Sequence, residues 1–112
     1  MIYTAIVLFA LGAVLGLSML VKWLGKKGAS KTVVYSHGLV GAIALVLLVI
    51  YSLQHPDNFP KASLILFVIA ALGGFYLFFS SFKKETGSVG LALVHGLLAV
   101  CGFIALLLFA FA

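Results

Sequence analysis

Two histidines, His37 and His95, lie inside long apolar stretches and each is followed by Gly and Leu. Imidazole is the commonest protein ligand for a metal ion, and it can equally give or take a proton or a hydrogen bond. An ionisable side chain inside a membrane span is costly and by default marks a functional site. The two positions are also equivalent. When the sequence is shifted by 58 residues it aligns on itself without a gap, and His37-Gly38-Leu39 falls on His95-Gly96-Leu97. Phe9 falls on Phe67, Ala13 on Ala71, Gly16 on Gly74, Lys26 on Lys84 and Ser30 on Ser88. Leu matches carry little weight in such a chain, but matches at Gly, Lys, Ser and His do not follow from composition. A repeat of this kind fixes architecture before any local reading.

The elements that position the histidines follow from composition. The chain has 112 residues, 65% hydrophobic and 8% charged, with a mean hydropathy of +1.35. A soluble domain of this size could not cover so much apolar side chain. Ile2–Val21, Val33–Leu53, Ala62–Phe82 and Gly90–Phe111 contain no Asp, Glu, Lys or Arg. Each matches the roughly 20 residues that a helix needs to cross a bilayer. The expected fold is all-α: a polytopic membrane four-helix bundle forming one domain over residues 1–112. The first stretch lacks a basic leading region and runs too long for a signal peptide, so it reads as the first span. Strands are excluded by the length of the runs and the lack of alternation.

Residues 1–53 and 59–112 each form a helical hairpin. Two spans per unit is an even number, so the copies share one orientation and are related by an axis along the membrane normal. His37 and His95 then sit at one depth and can face each other across that axis.

All seven basic residues are Lys. Lys22, Lys26, Lys27 and Lys31 flank the first connection, and Lys83 and Lys84 begin the third, whereas the second has Lys61 balanced by Asp57. The positive-inside rule puts the first and third connections in the cytoplasm and both termini outside; the expected membrane is a bacterial inner membrane. This asymmetry accounts for the net charge of +5 through topology and lipid headgroups, with no nucleic-acid partner implied.

Around each histidine the residues are small. Positions i+4 and i+7 share the histidine's face; they are Gly41 and Ala44 below His37, and Ala99 and Gly102 below His95. Gly12 and Gly16 on the first span, and Ala70 and Gly74 on the third, fall near the same level. One chemical reading is a haem b with His37 and His95 as axial ligands. Gly16, Gly74, Gly41 and Ala99 would give it clearance, Lys26 and Lys84 would meet its propionates, and a backbone carbonyl or Ser would accept from the other nitrogen of each ring. Another reading is hydrogen bonding between helices, with Ser18, Ser36 or Tyr76 as partners. The glycines also read as helix packing, and other ligands stay open. His55 reads as a loop residue beside Pro56, and Cys101 as a packed thiol.

In its four spans and its two His-Gly motifs, His37-Gly38 and His95-Gly96, the chain resembles the membrane-embedded four-helix b-type cytochromes. That group includes haem-bearing quinol oxidoreductases. The resemblance implies an electron-transfer component rather than a stand-alone enzyme, exchanging electrons with a quinone or a membrane redox partner. Two-haem members use a histidine pair near each face. Here only one pair is present, so one haem near the cytoplasmic face is implied. Two other functions are compatible with the chain: an accessory or assembly subunit of a larger complex, and a small transporter. The transporter lacks the membrane carboxylate that proton coupling needs. A homo-oligomer is also compatible.

The lysine distribution makes the orientation testable. With Cys101→Ser as background, a cysteine at Ser30 is expected to resist an impermeant thiol reagent added from outside. Ready labelling from outside would reverse the topology.

Overall fold

The protein is described by a computed structural model covering residues 1–25, 28, 30–82 and 89–112. Four helices follow in chain order: α1 (Ile2–Leu24), α2 (Lys31–Gln54), α3 (Lys61–Phe82) and α4 (Val89–Phe111). They form an all-α four-helix bundle, and each helix is long and apolar enough to cross a membrane. At 1.5 Å per residue the 23 residues of α1 span about 34 Å, close to the roughly 30 Å of a hydrocarbon core. The molecule is 44 Å long and 20 Å by 19 Å across.

The helices outrun the charge-free stretches by up to three residues at an end. α2 starts at Lys31 because Ser30 caps it, the Ser30 hydroxyl accepting from the Val33 N–H at 3.3 Å. This satisfies one of the donors that a helix start leaves open. At the other end of α2, the His55 Nδ1–H donates to the Tyr51 carbonyl at 2.9 Å, and its ring stacks on Tyr51 at 4.1 Å. His55 thus ties off the helix before the Pro56–Pro60 turn, in keeping with a loop role.

α1 packs along α2, and α3 along α4, far more extensively than the two hairpins pack on each other. The hairpins meet along α1/α4 and, more sparsely, along α2/α3, so α2 and α4 stand on a diagonal. Large buried side chains collect toward the end that carries the termini. Leu48, Leu106 and Phe67 form this core, supported by Ile6, Phe9, Leu45, Leu64 and Phe103. All eight are repeat partners: Leu48 with Leu106, Phe9 with Phe67, Ile6 with Leu64, Leu45 with Phe103. Phe9 and Phe67 lie flat on one another, with centroids 3.9 Å apart and planes 1° apart. Isolated aromatic pairs prefer an offset or an edge contact. Near-complete overlap results when two equivalent rings meet on the axis relating their hairpins.

Ser63 breaks the equivalence. Its hydroxyl donates to the Gly102 carbonyl at 2.8 Å, where the first hairpin has the buried pair Ala5 and Ala44. Cys101 is exposed on the outer side of α4, not packed, because the inward face there belongs to Gly102 and Leu106.

Leu48 and Leu106 are both fully buried and occupy equivalent places. Truncating either to Ala is expected to cost about 2–3 kcal/mol. This is the lower part of the range for buried leucines, because lipid removes most of the transfer term and leaves the cavity term. Unfolding in mixed micelles measures it, and a cost for one leucine several times that for the other would contradict equivalent packing.

Candidate functional site

His37 lies six residues into α2 and His95 six residues into α4, about 9 Å from the helix starts at the lysine-bearing end. Both rings are half-buried. Their centroids are 6.3 Å apart and their planes meet at 83°. The bundle thus brings the two diagonal histidines together at one depth, as the repeat requires.

Each ring is anchored to the companion helix of its own hairpin. His37 Nδ1 lies 2.8 Å from the Gly12 carbonyl oxygen. His95 Nδ1 lies 2.7 Å from the Ala70 carbonyl oxygen. The two bonds are repeat partners, each joining residues 25 apart. A carbonyl oxygen only accepts, so Nδ1 carries the proton in both rings. In the neutral imidazole this leaves a lone pair on Nε2. Neither Nε2 has a hydrogen-bond partner among the described residues. No fully sealed side-chain nitrogen or oxygen among them lacks a partner. Each Nε2 is therefore not fully sealed.

These anchors are not Ser18, Ser36 or Tyr76. Tyr76 is exposed, and the Ser18 and Ser36 side chains make no bond to either ring. The acceptors are main-chain atoms, which no search for polar side chains reveals.

The small residues divide into three roles. Gly16 and Gly74 lie against the imidazoles themselves: a β-carbon on either would come within 2.9 Å of the ring Cε1. Gly102 seats Phe67, whose ring carbons would lie 3.3 Å from a β-carbon there, and its equivalent Ala44 is fully buried. Gly41 has nothing within 4 Å of its missing β-carbon, and its equivalent Ala99 is half-buried. Of the positions below the histidines, i+4 is open at Gly41, while i+7 is consumed by packing. Lys26 and Lys84 lie outside the described residues.

The described part of the bundle near the histidines buries only small residues: Gly12, Ala70, Ser80 and Ala92. The described residues contain no cluster of three or more metal-ligating side chains. No protein family, curated protein or solved structure matches the chain.

Gly41 gives a direct check on the open space. Gly41→Ala in the ligand-free protein is expected to be neutral or stabilising by up to about 1 kcal/mol, since Ala is the better helix former. Thermal unfolding in detergent measures this, and clear destabilisation would mean that the space is filled.

Proposed function

We propose that the protein is a membrane b-type cytochrome-like electron-transfer component holding one haem b between His37 and His95. The observation that carries this reading is the pair of equivalent imidazoles, each pinned by Nδ1 and free at Nε2. Metal-binding histidines commonly donate their other N–H to a carbonyl or carboxylate, which orients the ring and raises its basicity. The spacing fits as well. Two metal–imidazole bonds of about 2.0–2.1 Å, plus about 1 Å from each nitrogen to its ring centre, span about 6 Å. The ring centres lie 6.3 Å apart. A direct N–H···N bond in line would bring them to about 5 Å.

When bound, the haem would supply a one-electron couple tuned by its axial ligands and its burial. The chain's own residues do the rest. The Gly12 and Ala70 carbonyls hold the two rings, and the position below His37 at Gly41 is open. The large core toward the termini, Leu48, Leu106 and the Phe9–Phe67 stack, closes the bundle to water from that side. Lys26 and Lys84 stand in sequence at the lysine-bearing end, where anionic propionates would emerge. The membrane is read as a bacterial inner membrane, with that end cytoplasmic. The redox partner is a quinone or another membrane subunit.

A second reading rests on the same anchors. Each imidazole is already bonded to its companion helix, so the histidines could serve as hairpin clasps in an accessory or assembly subunit. An absorption spectrum separates the two. Purified from cells supplied with haem, the protein is expected to show a b-type reduced-minus-oxidised spectrum. His37→Ala and His95→Ala are each expected to weaken haem retention at least about tenfold, no less than the loss of an outer-shell partner costs. His55→Ala is expected to leave the spectrum unchanged. A colourless wild-type protein rejects the haem and leaves the clasp.

A further inference from the structure

The open lone pair on each anchoring carbonyl has a cause in the sequence. In a helix the carbonyl of residue 12 already accepts from the N–H of residue 16. A helical side chain leans over the turn preceding its own Cα. A side chain at position 16 would therefore cover the carbonyl of Gly12, and one at position 74 the carbonyl of Ala70. Both positions are Gly. A β-carbon at Gly16 would lie 2.9 Å from His37 Cε1 and 3.3 Å from Nδ1, the atom that makes the bond. At Gly74 the corresponding distances to His95 are 2.9 Å and 3.5 Å. The ring atoms met here belong to an anchored plane and cannot swing aside as the end of a flexible chain would. Gly12 is different: a β-carbon there would meet only Val40, at 3.9 Å, which is ordinary contact.

We infer that Gly16 and Gly74 are positioning residues, which bare the Gly12 and Ala70 carbonyls and so hold each imidazole with Nδ1 protonated and Nε2 presented as the ligand nitrogen. The last step, presentation to a ligand, rests on the proposed haem role. The anchoring and the tautomer do not. This assigns Gly16 and Gly74 a task distinct from haem clearance and from simple helix packing, since what they make room for is the ring and its bond.

The repeat supplies an internal control, because each variant alters one histidine and leaves the other as a reference. The ligand-free full chain, labelled with ¹⁵N at histidine, is examined in micelles in mildly alkaline buffer, where long-range proton–nitrogen spectra separate protonated from bare ring nitrogens. In the wild type, His37 and His95 are both expected to show Nδ1–H and a bare Nε2. Gly16→Ala is expected to shift His37 toward Nε2–H and to leave His95 unchanged. Gly74→Ala should do the reverse, and Gly12→Ala should change neither. If the haem role holds, Gly16→Ala and Gly74→Ala also weaken haem binding about tenfold or more, as loss of an orienting bond does.

Several results would overturn the inference: an Nε2–H tautomer at either histidine in the wild type, an unchanged His37 in Gly16→Ala, or equal disturbance of both histidines by one variant. Where a variant fails to fold, the wild-type tautomers decide. A colourless wild type with the expected tautomers would remove the haem role and leave the positioning role standing.

Discussion

An imidazole N–H placed in hydrocarbon must find an acceptor, and in this bundle the acceptor is a helix carbonyl. Leaving such a donor unpaired costs several kcal/mol in an apolar medium. Making the bond contributes far less, on average about 0.6 kcal/mol for hydrogen bonds between membrane helices. The bond is thus a requirement more than a source of stability. It dictates its surroundings: the companion helix must come close, the turn above the carbonyl must be bare, and the ring must lie against the backbone. Gly12, Gly16, Ala70 and Gly74 meet those demands. The tight pairing of α1 with α2 and of α3 with α4, compared with the looser seams between hairpins, is the same demand expressed at the level of packing.

Repetition turns one solution into a pair. Each hairpin anchors its histidine by a bond between residues 25 apart, and the shared orientation of the hairpins turns the two rings toward one line. The same line carries the Phe9–Phe67 stack. The bundle therefore has two kinds of interior. Large side chains interlock toward the termini, where Leu48 and Leu106 are sealed. Near the histidines the buried residues are small. Large residues around the rings would press on the carbonyl anchors, so filling and anchoring are assigned to different levels of the bundle. Where the copies differ, as at Ser63 and Ala5, a side chain has taken up a local hydrogen bond that the other hairpin does without.

Much of this is legible in the sequence, because the features involved are periodic or long. Four charge-free runs imply four spans, and a gap-free offset places His37 and His95 at one depth on diagonal helices. The small residues at 12, 16, 70 and 74 also stand out. Their purpose does not, because a Gly four residues after another small residue looks the same whether it seats a helix, a ring or a cofactor. The anchors are legible only in kind: a backbone carbonyl is an expected acceptor for the second ring nitrogen, but the sequence does not say which one. Ser18, Ser36 and Tyr76 attract notice as polar side chains, whereas every residue carries a carbonyl and only three-dimensional placement shows which one is bare. The i+7 positions are ambiguous in the same way: Gly102 lies on the histidine's face in projection, and the neighbouring helix fills that place with Phe67.

The choice of histidine remains to be explained, and it favours a ligand. A clasp between two helices needs one donor. Ser, Thr, Asn or Gln could supply it with fewer titratable atoms, and such residues are the usual hydrogen-bonding groups between membrane helices. Imidazole adds a second nitrogen, and in both hairpins that nitrogen has no hydrogen-bond partner among the described residues and is not fully sealed. A purely structural role leaves the second nitrogen as a burden carried twice, at equivalent positions. A ligand role uses it in both copies, with the first nitrogen serving as the orienting contact. On the proposed reading, a single bound group would engage both nitrogens at once and link the hairpins where their own seams are sparse.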